Sequence, residues 1–126
     1  MRIEEMCDYI LDNWSKPAIH LTAYTLWRLN WIHPFTDGNG RTARAVAYLV
    51  LCVRLGYRLP GTKTIPELIA ADKDPYYAAL EAADAGDLTV LEKLLAALLA
   101  QQLYDIHRLA TEGNGGNDDS VDHTFH

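Results

Sequence analysis

The sequence predicts an all-α domain, a compact helical bundle packed around a central buried helix, and three observations carry that expectation. Apolar residues recur at three- and four-residue steps along most of the chain. No segment alternates apolar and polar residues over a useful length. The breaks between periodic segments are short and hold Pro, Gly, Asp or a hydroxyl-bearing cap. With 126 residues, 49% of them hydrophobic, the chain can fill one core and not two. One domain is therefore expected over residues 1–112. From Gly113 the composition turns to Gly, Asn, Asp, Ser and His, which predicts a disordered acidic tail over 113–126.

Taken in order, Ile3, Met6, Cys7, Ile10, Leu11 and Trp14 mark one face of a first helix, roughly residues 3–14. Ser15-Lys16-Pro17 breaks it, with Ser15 as candidate N-cap and Pro17 in the first turn of the next helix. There Ile19, Ala23, Leu26 and Trp27 form one stripe and His20, Tyr24, Trp27 and Trp31 a second, so neighbours are expected on two sides. Thr36 to Gly40 holds Asp, Asn and two glycines and must be a loop. Residues 41–55 are helical again, and Ala45 to Val53 is apolar nearly all round, which predicts the central helix, with Gly56 as its C-terminal cap. Thr64-Ile-Pro-Glu67 reads as a capping box opening a short helix to Ala71, and Asp74-Pro75 opens another that ends at Gly86. Thr89-Val-Leu-Glu92 reads as a second capping box. The helix it starts reaches about residue 111, with Leu91, Leu94, Leu95, Leu98, Leu99, Leu103 and Ile106 on one face.

A formal net charge of −6 and a pI near 5.2 exclude a broad surface for nucleic acid or anionic membrane, since both partners are held mainly by Lys and Arg. Any anion site must be local. Cys7 and Cys52 lie in helical patterns without metal-type spacing and are expected as two buried, reduced thiols. No signal-like or membrane-spanning run occurs, so a soluble, cytoplasmic protein is expected.

One run carries chemistry: His33-Pro-Phe-Thr-Asp-Gly-Asn-Gly-Arg-Thr-Ala-Arg44. Gly38, Asn39 and Gly40 stand immediately before a helix, where free N–H groups and the positive end of the helix dipole favour a phosphate. Arg41 and, one turn on, Arg44 add guanidinium groups suited to phosphate oxygens. Asp37 at the rim is the carboxylate placed to hold Mg2+, which takes one or two carboxylates together with substrate phosphates. His33, at the end of the second helix, can take a proton from an attacking hydroxyl. Each feature alone is weak: a Gly-rich loop before a helix is common, and a lone His at a helix end is more often a cap or core residue.

Jointly, the run resembles the signature of the Fic family, His-x-Phe-x-[Asp/Glu]-Gly-Asn-Gly-Arg-x-x-Arg. His33, Phe35, Asp37, Gly38, Asn39, Gly40, Arg41 and Arg44 match every fixed position. Chance occurrence of such a match is on the order of one in a million or less. The resemblance, which runs from about residue 3 to 110, implies a Fic-type helical domain and a protein adenylyltransferase that moves AMP from ATP to a Ser, Thr or Tyr hydroxyl of a target protein. It implies that His33 is the general base, that Phe35 anchors the loop in the core, and that Asp37 carries Mg2+ bridging the α and β phosphates. The backbone of Gly38, Asn39 and Gly40 with Arg41 would hold those phosphates, and Arg44 would reach the γ phosphate. Tyr76, Tyr77 and Asp84 resemble the family stretch that lines the nucleoside pocket, with Asp84 where the family has Asn; core filling is the plain alternative for both tyrosines.

The resemblance also frames the alternatives. Fic enzymes usually carry a hairpin flap before the first helix, and almost nothing precedes Ile3. A nucleotide-binding or interaction module without turnover is therefore the second class of reading. UMP or phosphocholine transfer and AMP removal are chemically open, whereas the Doc-like kinase branch has Lys where Gly40 stands. The inhibitory pattern [Ser/Thr]-x-x-x-Glu-[Gly/Asn] has no full match, since Arg108 holds the Ser/Thr place before Glu112-Gly113. Restraint by a separate antitoxin-like protein and pairing as a homodimer stay open. A metal site built on His20 and His33 ranks below core packing, and His123 and His126 are expected to be solvated.

Overall fold

The computed structural model describes residues 2–61 and 63–114, those after 104 by backbone alone. Six helices follow in order, with no strand among the described residues: α1 (Arg2–Asp12), α2 (Ala18–Ile32), α3 (Asn39–Leu55), α4 (Ile65–Ala71), α5 (Asp74–Asp84) and α6 (Thr89–Asn114). The all-α expectation holds. None of these helices is long and apolar enough to cross a membrane. Helix α6 continues through Gly113 to Asn114, past the boundary expected for the tail, and residues 115–126, with the readings placed on them, lie outside the described residues.

The central element is α2 rather than α3, a correction to the sequence reading. Leu21, Thr22, Ala23, Thr25, Leu26 and Leu29 are buried, and α2 packs on α1, α3 and α6. Thr22 and Thr25 can be buried because their hydroxyls donate to Ala18 O and Leu21 O at 2.8 and 2.7 Å. Along α3 only Asn39, Ala43, Ala47 and Leu51 are buried, a four-residue stripe whose small alanines let it approach α2 closely. Leu49 and Val53 on its outer face are more than half exposed and, with Tyr57, line an open groove of about 660 Å³. An apolar run is ambiguous about burial because it fits a two-sided helix and a one-sided helix with an uncovered face equally well.

Ends and edges differ in detail. Pro17, not Ser15, is the N-cap of α2, and its extended backbone (φ −54°, ψ 143°) delays the helix to Ala18. Helix α1 stops at Asp12 and buries Met6 and Ile10 alone, so Leu11, Trp14 and Cys7 are exposed; the expectation of two buried thiols fails for Cys7, while Cys52 is half-buried. Both cysteines are free. Arg54 ties the α1–α2 turn to α3 through Nε donating to Trp14 O at 2.8 Å. Gly56 caps α3 as expected, at φ 88°, its N–H reaching Cys52 O at 2.9 Å.

At Thr64 the expected pairing with Glu67 is present: N–H and hydroxyl donate to one carboxylate oxygen at 3.3 and 3.0 Å. At Thr89 it is not. There Asp87 accepts from the Thr89 N–H and hydroxyl, and Glu92 lies 3.2 Å from His20 Nδ1 instead. On α6 the expected face holds for Leu91 and Leu95, which are buried, and for Leu94, Leu98 and Leu99, which pack against the core; Leu103 is exposed, Gln102 is buried instead, and the side chain of Ile106 lies outside the described residues.

Candidate functional site

Pro34 sets the geometry of the site. It cannot continue the helix and disfavours a right-handed helical backbone at His33, so α2 ends there. His33 takes φ 55° and ψ 60°, the only non-glycine residue with positive φ among those described, and its N–H closes the helix on Leu29 O at 3.1 Å. The left-handed backbone costs about 1–2 kcal/mol for an L-residue, and it leaves the imidazole exposed at the mouth of the loop.

The loop that follows is held by Asn39. Its Oδ1 accepts from Phe35 N–H at 2.8 Å and its Nδ2 donates to Phe35 O at 2.7 Å, and the residue is 5% exposed. Both polar atoms of one backbone unit are thus fixed by one side chain. Phe35 itself is 53% exposed, which overturns the expectation that its ring anchors the loop in the core. The clasp on its backbone does the anchoring, and the ring is turned outward.

Helix α3 begins at Asn39 with Gly38 as N-cap, φ 73°, and no side chain caps it. The first ladder bond runs from Thr42 N–H to Gly38 O at 3.0 Å, so the N–H groups of Asn39, Gly40 and Arg41 stand outside the helical ladder. Both motif arginines fold back over the glycines. A Cβ on Gly38 would lie 3.6 Å from Arg41 Nη2, and one on Gly40 would lie 3.0 Å from Arg44 Nη1. Three free N–H groups, the helix dipole and two guanidinium groups therefore meet at one end of α3, which suits a polyphosphate. The same arginines line a groove of about 430 Å³ that runs to Tyr48, Thr64 and Glu67.

Asp37 is exposed beside this cradle, and among the described residues no three His, Cys, Asp or Glu side chains gather as a metal cage. A lone carboxylate next to a phosphate cradle fits Mg2+, which takes its remaining ligands from phosphate and water. His20 does not join His33: its Nε2 lies 2.8 Å from Tyr9 Oη and its Nδ1 meets Glu92, so it links α1, α2 and α6, as the packing alternative expects.

The second patch divides. Tyr76 is 1% exposed and closed in the core, and Tyr77 is half exposed beside it, ring centroids 5.8 Å apart. Burial pushes the Tyr76 phenol upward, offset in part by Asn30, whose Nδ2 donates to its oxygen at 2.7 Å, and by the Arg44 guanidinium nearby. Only Tyr77 can face a ligand. The exposed carboxylate of Asp84 accepts from Trp27 Nε1 at 2.8 Å. Asn30 and the side chain of Asn39 are the site members that sequence reasoning missed. Asn39 was read for its backbone, and nothing in one sequence marks Asn30.

The Fic/DOC family pattern matches residues 1–51, which include the whole run from His33 to Arg44. The protein adenylyltransferase fic-1 of Caenorhabditis briggsae is 32% identical over 98 residues, covering 75% of this chain and 18% of that protein. Its namesake in Caenorhabditis elegans is 35% identical over the same length and with the same coverage. A Fido domain-containing protein of Dictyostelium discoideum is 42% identical over 77 residues, 57% of this chain and 49% of that one. The chain thus spans less than a fifth of the nematode relatives. No solved structure matches it. With the signature complete on one exposed loop and helix start, and these relatives aligned over most of its length, the chain belongs to the Fic/DOC family.

Proposed function

We propose that the chain carries the nucleotidyl-transfer site of a protein adenylyltransferase, using ATP to attach AMP to a hydroxyl of another protein. The observation that carries this reading is the meeting of three free N–H groups with Arg41 and Arg44 at the start of α3, on the same short loop as an exposed His33. His33 accepts the proton of the target hydroxyl. The oxygen attacks the α phosphorus in line, an O–P bond forms, the bond from that phosphorus to the bridging oxygen breaks, and pyrophosphate leaves. The N–H groups of Asn39, Gly40 and Arg41, with the Arg41 side chain, hold the diphosphate and stabilise its growing charge, and Arg44 takes the γ phosphate. Asp37 would hold Mg2+, which supplies charge neutralisation on the phosphates. Tyr77 is the ring available to the nucleoside.

ATP labelled at the α phosphate, incubated with Mg2+, the chain and a cell lysate, tests this reading. Label should appear on protein, fall by about 10²-fold or more with His33→Ala as for loss of a general base, and be absent when the label is on the γ phosphate. Tight nucleotide binding without label on any protein would instead support a binding module. Label unaffected by His33→Ala would reject the assigned base.

A further inference from the structure

We propose that Arg2, Arg28 and Trp31 form a docking surface for a carboxylate-bearing stretch of the acceptor protein, beside the hydroxyl that receives AMP. This rests on the transfer reading above and names the chemistry of the partner that reading requires.

The surface is a stack of cations and rings along the second half of α2. The Arg2 guanidinium lies 4.7 Å from the centroid of the Trp31 ring, and that of Arg28 lies 4.8 Å from Trp31 and 5.2 Å from Trp27. Trp27 is fixed in turn, its Nε1 donating to Asp84 of α5 at 2.8 Å. Side chains of α1, α2 and α5 thus hold one another, and little rotamer freedom is left to lose when a partner binds. A guanidinium over a ring face is held by the ring's quadrupole and spends none of its N–H groups there.

Those N–H groups have no acidic partner. His20 with Glu92 is the one oppositely charged pair within 4.0 Å among the described residues, so neither Arg2 nor Arg28 meets a carboxylate, although Glu4 and Glu5 are near Arg2 in the chain. Arg28 Nε is buried without any hydrogen-bond partner, so that atom is kept in place by packing and not by a polar contact. Arg2 is exposed and Trp31 is 47% exposed, which opens the stack to solvent. Two guanidinium groups over an aromatic floor suit carboxylates, each of which a guanidinium can take by both oxygens. A long polyanion suits it less, because a net charge of −6 repels whatever extends past the patch. Among acidic partners the acceptor is favoured by position. Trp31 stands two residues before the exposed His33, so a chain lying on the stack presents its next residues at the mouth of the loop.

The test uses a tagged glutamate-rich peptide carrying Ser, Thr and Tyr, and its glutamine counterpart, titrated by anisotropy against the wild type, Arg2→Gln and Arg28→Gln. The wild type should prefer the glutamate peptide by about tenfold at low salt, and the preference should shrink as salt is added. Each variant should lose about two- to fivefold of it, the worth of an exposed ion pair. A preference absent from the wild type, or undiminished in both variants, overturns the proposal. So does an oligonucleotide of matched charge that binds more tightly than the glutamate peptide. Should Arg28→Gln melt far below the wild type, Arg2→Gln, at an exposed position, decides alone.

Transfer separates this inference from the reading beneath it. With Mg-ATP labelled at the α phosphate, the glutamate peptide should be the better acceptor through a lower KM, and Arg2→Gln should raise that KM while kcat is kept. A glutamate peptide that binds through the arginines and takes no label rejects the transfer reading and leaves only an acidic-peptide surface. Label passed equally well to both peptides rejects this inference alone.

Discussion

Asn39 shows how one side chain can hold a glycine-rich loop in shape. Its two bonds to the Phe35 backbone are both under 3 Å and part-buried, and the Asn39 side chain that makes them is itself shut away from solvent. Asn39→Ala should therefore cost about 1–3 kcal/mol in urea unfolding, the penalty for buried polar groups left unpaired, and should weaken nucleotide binding as well. Gly40 and Gly38 should separate in the opposite sense. Gly40 has an ordinary helical backbone and faces only the far end of Arg44, so Gly40→Ala should leave the unfolding midpoint close to wild type while nucleotide affinity falls. Gly38 at φ 73° has room beside it but not the backbone freedom, so Gly38→Ala should cost about 1–2 kcal/mol of stability. Urea midpoints beside nucleotide titrations check all three. The residue types of the cradle were legible in the sequence because free N–H groups, glycines and arginines are chemistry that a string can display. The outward ring of Phe35 was not, because it depends on a side-chain clasp made in space, and the same is true of Asn30.

Helix by helix, what the sequence hides is which side faces in. The periodicity of α3 announces a helix, but its burial follows from packing one face on α2 while Leu49 and Val53 on the other side stay uncovered. Gln102 is the sharpest case at this scale. It sits 1% exposed in a leucine-rich helix, donates to Tyr48 Oη at 2.9 Å and Pro60 O at 2.8 Å, and accepts from Ile65 N–H at 3.0 Å. It joins α6 to α3, to the connection and to the first residue of α4. Gln102→Leu keeps the volume and strands those partners, so a loss of about 2–4 kcal/mol is expected in urea unfolding. The start of α6 offers a pH test. The Thr89 hydroxyl and N–H hold the Asp87 carboxyl below its ordinary range. A depressed folded pKa means that its contribution is present at neutral pH and is lost as pH falls through that value. Asp87→Ala should therefore melt below the wild type at pH 7, and the gap should close as the two melts are repeated toward pH 2.

For the molecule as a whole, the cradle sits where elements are tied together: α2 ends in His33, α3 brings the free N–H groups and both arginines, and α5 is joined to α2 by the Asn30 bond to Tyr76. On the proposed reading a nucleotide binds there, and a ligand that binds only the folded chain must stabilise it by mass action. At 100 times its dissociation constant that amounts to about 2.7 kcal/mol. In a chain of 126 residues this should raise the melting temperature by roughly 5–15 °C. The variants should then sort by role. Arg41→Ala and Arg44→Ala should lose most of the shift, because each removes a contact to the phosphates. His33→Ala should keep it, because on the proposed reading the imidazole serves the incoming hydroxyl and not the nucleotide, yet transfer should fall by about 10²-fold or more. Differential scanning with and without Mg-ATP on the four proteins decides the matter. A His33→Ala protein that melts normally alone but gains nothing from Mg-ATP would mean that the imidazole serves binding rather than proton transfer.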